Sequence, residues 1–110
     1  GTGKPIREWL YVEDGARSLI KSINIPDGHH LFNVGVEKGI SIKELAEIIK
    51  LEVGWDGEFN YDQSKPDGVL EKKVDGTKGK EILEWEVSTE LRIGIRNTVD
   101  WYNKNYEQYG

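Results

Sequence analysis

Two neighbouring motifs decide the fold class of this chain: Leu31-Phe32-Asn33-Val34-Gly35, followed by Ser41-Ile42-Lys43-Glu44-Leu45-Ala46. The first is short and apolar, which is typical of a strand. In the second, Ser41 and Glu44 form a capping box, where each side chain satisfies a free backbone N–H at a helix start. Gly54 is placed to end that helix. A strand followed by a capped helix predicts a mixed α/β unit.

The alternation of strand and helix continues toward the N terminus. Residues 7–12 alternate polar and large apolar side chains, which is the pattern of a half-buried strand. From Glu13 the spacing of apolar residues becomes helical, and a Pro26-Asp27-Gly28 turn ends the predicted helix. The apolar residues at helical spacing are Ala16, Leu19, Ile20 and Ile23.

Shorter elements are predicted in the C-terminal half. We expect a third strand at residues 58–62 and a short extended piece at residues 72–75. A brief helix is expected at residues 78–83, and a final helix starts near Ser88 or Thr89.

The whole of residues 1–110 is expected to form a single α/β domain, with a small mixed sheet of three to four short strands and three main helices.

At 36% hydrophobic and 32% charged residues, the composition is that of a globular protein. The net charge of −5 and the lack of a basic block argue against nucleic-acid binding. No apolar run reaches the ~20 residues of a membrane helix. With no cysteine, a cytoplasmic location is the default expectation.

Two motifs that suggest cofactor or metal chemistry do not meet its requirements. Gly1-Thr2-Gly3-Lys4-Pro5 has a proline where a phosphate-binding P-loop needs Ser or Thr, and a strand follows instead of a helix. Its glycines also lack the preceding strand and the third glycine of a dinucleotide fingerprint. His29 and His30 are adjacent, so on an extended chain they point to opposite sides and cannot easily share one metal ion. We therefore predict no cofactor-binding and no metal-binding residue.

Arg7 and the turn Ser64-Lys65-Pro66-Asp67-Gly68 are the candidate ligand-binding features. A guanidinium at a junction of loop and strand suits phosphate recognition, although an ion pair with a neighbouring glutamate explains Arg7 equally well. The Pro-Asp-Gly sequence turns the backbone sharply and would hold Lys65, Asp67 and Lys72 in one small region. Such a group can meet a polar ligand that carries hydroxyls and negative charge. The alternative interpretation is a solvated loop.

Taken in order, these motifs resemble one known family. The chain is similar to the C-terminal substrate-binding lobe of the NAD-dependent epimerase/dehydratases, which are extended short-chain dehydrogenase/reductases with a Rossmann-type fold. The resemblance covers essentially the whole chain and rests on four segments: residues 1–14, Phe32-Asn33-Val34-Gly35, residues 41–46 and Ser64-Lys65-Pro66-Asp67-Gly68. The first segment is shared widely in the family, whereas the last is more specific to its GDP-fucose-forming branch.

The resemblance implies a function for a longer parent enzyme. That enzyme would epimerise GDP-4-keto-6-deoxy-mannose at C3 and C5, and reduce its C4 ketone with hydride from NADPH. The substrate-binding residues carried over from the family are Arg7 and Lys72, near the phosphates, and Asp67, on the nucleotide sugar. NADP or NAD would be bound by an N-terminal Rossmann domain, and the parent is expected to be a homodimer. The start at Gly1, without a methionine, fits a piece of a longer protein.

Catalysis in this family uses a tyrosine and a lysine in a YxxxK arrangement. Only Tyr61 and Lys65 have this spacing, and they fall on a predicted strand and turn, where the two side chains do not share a face. We therefore predict no catalytic residue in the chain. The chain alone is expected to bind nucleotide sugar weakly and to be inactive.

Several alternatives stay open. Glu71 stands where the family usually has an arginine, which would weaken anion binding or indicate another nucleotide sugar. A lobe of a UDP- or dTDP-sugar epimerase or dehydratase is therefore one alternative, and a free-standing, non-enzymatic binding module is another. If a domain is missing, Trp9, Trp55 and Tyr61 are candidates for the apolar surface that faces it.

Overall fold

The fold consists of four helices and three two-residue strands within residues 1–109, which the computed structural model describes. In chain order they are β1 (Ile6–Arg7), α1 (Val12–Ser22), β2 (Ile40–Ser41), α2 (Ile42–Val53), β3 (Glu71–Lys72), α3 (Thr77–Leu83) and α4 (Leu91–Tyr109). The predicted class, α/β with a small mixed sheet, is confirmed.

The sheet has the order β2-β1-β3, so β1 lies in the middle. β2 runs antiparallel to β1 and pairs Ser41 with Ile6. β3 runs parallel to β1 and pairs Glu71 with Ile6 and Lys72 with Arg7. Strands from three distant parts of the chain therefore meet beside the N-terminal loop.

Helix α2 forms as its sequence predicts. The Ser41 hydroxyl accepts a hydrogen bond from the Glu44 backbone N–H at 3.1 Å, and the Ser41 N–H donates to the Glu44 carboxylate at 2.9 Å. Gly54 ends the helix with φ of 69°, in the left-handed region that favours glycine. The helix packs against α4, where Arg92 and Arg96 both donate to Glu52.

Several predicted boundaries are wrong. The strand expected at residues 7–12 is only Ile6–Arg7, because α1 already begins at Val12. Residues 31–35 and 58–62 form no strand. Neither segment is paired with a strand among residues 1–109, and a strand exists only where a neighbouring strand accepts and donates hydrogen bonds. β2, which the sequence did not indicate, is the strand that pairs with β1 instead.

The small core lies between α1, α3 and the segment that follows α3. Leu83 and Trp85 are 3% and 6% exposed, and the Trp85 indole N–H donates to the Asp14 carbonyl at 3.0 Å. The radius of gyration is 16.8 Å, against ~13 Å for a compact domain of about this length. The fold is therefore extended for its size, and much of its apolar surface faces outward.

Candidate functional site

A cleft of about 480 Å³ opens where the N-terminal loop meets the Pro-Asp-Gly turn. Its walls are lined by Gly1, Gly3, Pro5, Arg7, Ile42, Asn60, Tyr61, Asp62, Pro66 and Asp67. The cleft thus brings together two of the three residues predicted to bind substrate, although they lie in separate parts of the sequence.

The carboxylate of Asp67 is tied to the N-terminal loop. Oδ1 accepts from the Thr2 backbone N–H and Oδ2 from the Thr2 hydroxyl, each at 2.5 Å. These two hydrogen bonds, with the hydroxyl contributing most, hold the pKa of Asp67 below its usual value. Asp67 is therefore ionised at neutral pH. Each of its oxygens keeps a lone pair that can accept another hydrogen bond.

Gly3 lets the loop pass close to an aromatic ring. Its φ is 75°, and a Cβ at this position would lie 2.5 Å from Cε1 of Tyr61. Any side chain there would collide with the ring and strain the backbone. The Tyr61 hydroxyl is buried and has no hydrogen-bond partner among the described residues. Thr2, Gly3 and Tyr61 therefore shape the cleft, although the sequence did not mark them as site residues.

The Arg7 guanidinium is braced by two backbone carbonyls. Nη1 donates to the Ile6 carbonyl at 2.6 Å, and Nη2 donates to the Val69 carbonyl at 2.8 Å. Arg7 forms no ion pair with Glu8 or Glu13 within residues 1–109, so the surface ion pair considered above is not present. An arginine has five N–H donors, so Arg7 keeps donors for an anion while its position is fixed.

Lys72 lies beside Arg7 but outside the lining of the cleft. The two residues are paired across β1 and β3, and paired residues on neighbouring strands lie on the same face of a sheet. Lys72 is exposed and Arg7 is half-buried. The arrangement places two cations next to each other at one edge of the cleft, which the carboxylate of Asp67 also lines.

Comparisons with known proteins show which proteins the chain is similar to. No model of a protein family matches the chain. GDP-L-fucose synthase 1 of Arabidopsis thaliana is 39% identical over 105 residues, which are 96% of this chain and 32% of that protein. A GDP-L-fucose synthetase structure from Naegleria fowleri superposes with a TM-score of 0.89 at 30% identity, over 98% of this chain and 33% of the other. The chain is similar to the C-terminal part of NAD-dependent epimerase/dehydratases.

Other solved structures of epimerase/dehydratases share the fold. UDP-glucose 4-epimerase of Thermotoga maritima, solved with UDP-glucose, has a TM-score of 0.87 and 30% identity over 96% of this chain and 34% of its own. dTDP-glucose 4,6-dehydratase of Bacillus anthracis, solved with NAD, has a TM-score of 0.82 and 25% identity over 99% of this chain and 35% of its own. The chain thus spans about a third of the length of the relatives that it matches. The predicted resemblance is confirmed.

Glu71 does not oppose the two cations, contrary to the expectation from the sequence. It pairs with Ile6, and successive residues of a strand point to opposite faces, so Glu71 lies on the face away from Arg7 and Lys72. There its carboxylate meets Lys73 Nζ at 2.6 Å. The hydrogen bond that Lys73 donates to the Glu71 carboxylate raises the pKa of Lys73. The negative charge of Glu71, which departs from the epimerase/dehydratase pattern, is therefore balanced by Lys73, the residue that follows β3.

Asp14 is another strongly engaged carboxylate. It lies at the start of α1 and is 1% exposed. Its carboxylate accepts from Arg17, from the Ser88 hydroxyl at 3.0 Å and from the Thr89 backbone N–H at 3.0 Å. Burial raises the pKa of Asp14, but the hydrogen bonds from Ser88, Thr89 and Arg17 outweigh burial and lower it. Asp14 joins α1 to the start of α4 and lies outside the cleft.

Within residues 1–109 no group of three or more metal-ligating side chains lies close enough to hold a metal ion. The helices described there are too short or too polar to cross a membrane. The Gly1-Thr2-Gly3 loop leads into β1 and not into a helix N terminus, so it does not fit the pyrophosphate of a dinucleotide.

Proposed function

We propose that this chain supplies the nucleotide-sugar-binding lobe of an NAD(P)-dependent epimerase/reductase, with GDP-4-keto-6-deoxy-mannose as substrate. The observation that carries the proposal is the pairing of Arg7 with Lys72 at the edge of a cleft that Asp67 also lines. When bound to the preceding Rossmann domain, the cofactor would supply the hydride for reduction at C4. The present chain would hold and orient the substrate.

The charges of the cleft suit a diphosphate attached to a sugar. Two neighbouring cations attract a diphosphate, and each charge-assisted hydrogen bond is worth ~1.5–3 kcal/mol. Because Arg7 is already held by the Ile6 and Val69 carbonyls, little side-chain entropy is lost when it binds an anion. The ionised Asp67 accepts hydrogen bonds, which suits the hydroxyls of a sugar or ribose.

A UDP-sugar epimerase is the second candidate. The observation in its favour is the TM-score of 0.87 with an epimerase solved with UDP-glucose, at the same 30% identity as the Naegleria protein. The GDP-sugar assignment rests on the Arabidopsis relative, which is 39% identical. Competition between GDP and UDP for the full-length protein separates the two candidates, since the two nucleotides share the diphosphate and differ in the base.

The test is calorimetric titration of the full-length protein with GDP-, UDP- and dTDP-sugars. Arg7→Ala and Lys72→Ala should each weaken binding of the preferred nucleotide sugar about tenfold, the equivalent of one charge-assisted hydrogen bond. Lys73→Ala is the matched control, because Lys73 is bound by Glu71 on the opposite face. Unchanged affinity in both Arg7→Ala and Lys72→Ala would rule out the proposal.

The coding sequence upstream of Gly1 tests the parent enzyme separately. A Gly-rich dinucleotide loop and a YxxxK motif there would support an enzyme that this chain completes. An initiator codon immediately before Gly1 would support the free-standing binding module instead. The expected homodimer is tested by sedimentation of the full-length protein, and the expected cytoplasmic location by cell fractionation.

A further inference from the structure

Glu8, the residue that follows β1, is hydrogen-bonded to the segment that follows β3. Its Oε2 accepts from the Val74 backbone N–H at 2.7 Å, across 66 residues of sequence. In a regular parallel ladder such an N–H bonds to a backbone carbonyl of the neighbouring strand. The pairing of β1 with β3 ends at Arg7 and Lys72, and the Glu8 side chain provides the acceptor where the ladder stops.

The strand β3 is held by few contacts. It is two residues long, both of them exposed, and it lies at the edge of the sheet with β1 as its neighbour. Before β3, the carbonyls of Val69 and Leu70 accept hydrogen bonds from the residues of β1, at 2.8 and 2.7 Å. After β3, Val74 donates to Glu8. The position of Lys72 therefore depends on contacts on both sides of the strand.

Gly35 leaves the space that the contact between Glu8 and Val74 needs. A Cβ at Gly35 would lie 2.5 Å from Cγ2 of Val74 and 3.4 Å from Oε1 of Glu8. A larger residue would have to displace one of these two side chains, because a close-packed contact leaves no free volume. The last residue of the Phe-Asn-Val-Gly motif therefore serves this contact.

The second oxygen of the Glu8 carboxylate is not used by the fold. Oε1 is buried and has no hydrogen-bond partner among residues 1–109. A buried acceptor without a partner costs free energy, so each such group in a native protein needs an explanation. A function of the contact that Oε2 makes with Val74 is such an explanation.

Glu8 lies on the face of the sheet away from the candidate anion site. It follows Arg7, and successive residues of an extended chain point to opposite faces. The pKa of Lys73 is raised first by its hydrogen bond to Glu71 and, to a smaller extent, by the charge of Glu8, so Glu8 is on the same side as these two residues. An effect of Glu8 on an anion held by Arg7 and Lys72 therefore passes through the backbone of β3.

We propose that Glu8 is a positioning residue of the candidate anion site: its hydrogen bond to Val74 holds β3 in place, and with it Lys72 beside Arg7. The inference rests on the proposed function for the ligand, whereas the contact itself does not. Glu8 has two effects of opposite sign on a bound diphosphate. Its negative charge repels the diphosphate, and its hydrogen bond keeps a cation where the diphosphate needs it.

Glu8→Gln and Glu8→Asp separate these two effects. Glu8→Gln removes the charge and keeps an oxygen that accepts from the Val74 N–H. Glu8→Asp keeps the charge and withdraws the carboxylate by one C–C bond, ~1.5 Å. The test is calorimetric titration of the full-length protein, with GDP and UDP as probes because both carry the diphosphate.

The expected order of affinity is opposite to the order that charge alone would give. For the probe that binds more tightly, Glu8→Gln should bind at least as well as the unsubstituted protein. Glu8→Asp should bind ~5-fold more weakly, short of the ~10-fold loss for Lys72→Ala. Equal affinity of the two Glu8 variants, or weaker binding by Glu8→Gln than by Glu8→Asp, would overturn the inference.

A double-mutant cycle shows whether Glu8 acts through Lys72. In the Lys72→Ala background, Glu8→Asp should lower affinity less than ~2-fold, because the cation that it positions is gone. Fully additive losses would assign Glu8 a general structural role and overturn the inference. Glu37→Asp is the matched control: its carboxylate meets Nζ of Lys80 in α3 at 2.9 Å, and its shortening should leave affinity unchanged.

Hydrogen exchange in the absence of ligand tests the contact independently of the proposed function. The Val74 amide should exchange ~10-fold faster in Glu8→Asp than in the unsubstituted protein, and at nearly the original rate in Glu8→Gln. The Trp85 amide, which donates to the Lys80 carbonyl at 3.2 Å, is the internal control for general loosening of the fold. Unchanged exchange at Val74 in Glu8→Asp would overturn the inference.

The two proposals fail in different ways. If Lys72→Ala leaves the affinity for both probes unchanged while Val74 exchange responds to Glu8→Asp, the proposed function is wrong and the hold of Glu8 on β3 stands. If Lys72→Ala weakens binding but Glu8→Asp does not, the proposed function stands and Glu8 is not a positioning residue.

Discussion

Thr2 and Asp67, 65 residues apart in sequence, are joined by two hydrogen bonds of 2.5 Å. One comes from the backbone and one from the side chain of Thr2, and they use both carboxylate oxygens of Asp67. The pair fastens the N-terminal loop to the Pro-Asp-Gly turn, and both segments line the cleft. The position of Asp67, and with it the shape of the candidate site, depends on this contact.

Thr2→Val should raise the pKa of Asp67 toward its ordinary value. The hydroxyl bond is the largest cause of the lowered pKa, whereas the backbone bond remains in the variant. Because the folded pKa is depressed, the stabilisation from this pair is present above the ordinary value of ~3.9 and is lost as the pH falls through the folded pKa. Titration of the Asp67 carboxyl carbon by NMR measures the change. Thr2→Ser keeps the hydroxyl and should leave the titration as it is; an identical curve for Thr2→Val would contradict the hydroxyl's role.

Glu71→Gln should leave nucleotide-sugar affinity within about twofold of the original. Glu71 lies on the face of β3 away from Arg7, and Lys73 neutralises it at 2.6 Å. Removing its charge therefore changes the field at Arg7 and Lys72 little. Calorimetry on the full-length protein gives the measurement, with Lys72→Ala as the variant that does weaken binding. A severalfold gain in affinity for Glu71→Gln would show that its charge reaches the ligand.

Local sequence patterns predicted the elements whose stabilising contacts lie within a few residues. The capping box of Ser41 and Glu44 and the stop at Gly54 are local contacts, and the structure has them all. The predictions of strands at residues 31–35 and 58–62 were wrong. A strand needs a partner strand, and the sequence does not state which partner is present.

In the candidate site, too, the sequence predicted the residues with a local motif and missed those whose contacts join distant segments. Arg7 and Asp67 were found by their motifs, and the structure brings both to one cleft. Thr2 was missed because its contact with Asp67 joins distant parts of the chain, and no local spacing encodes it.

Asp14→Asn should destabilise the fold by ~2–3 kcal/mol at neutral pH, because an amide has one acceptor oxygen for three donors and adds an N–H₂ that faces them. The folded pKa of Asp14 is lowered, so the stabilisation is present above ~3.9 and is lost as the pH falls through the folded pKa. The difference between the two proteins should therefore shrink below about pH 4. Urea unfolding at pH 7 and pH 3 tests this. Glu13→Gln, on the exposed side of the same turn, should change stability by less than ~0.5 kcal/mol.

Tyr61→Phe should be neutral or slightly stabilising in the absence of ligand. The Tyr61 hydroxyl is buried without a partner among the described residues, so its removal breaks no hydrogen bond there and relieves a desolvation cost of ~1–3 kcal/mol. Denaturant unfolding measures the effect. A clear loss of stability would show that the hydroxyl bonds to water or to a group outside residues 1–109.

Gly3→Ala should destabilise the fold more than Gly54→Ala. Both glycines have positive φ, 75° and 69°, so both substitutions strain the backbone by ~1–2 kcal/mol. They differ in their surroundings: a Cβ on Gly54 meets nothing within 4 Å, whereas a Cβ on Gly3 lies 2.5 Å from the Tyr61 ring. Overpacking of this kind adds ~1–3 kcal/mol.

Gly3→Ala should also weaken nucleotide-sugar binding, since the loop that carries Thr2 must move, while Gly54→Ala should leave binding unchanged. Unfolding and calorimetry on the two variants give both differences, and equal losses of stability would mean that the Tyr61 ring yields without cost.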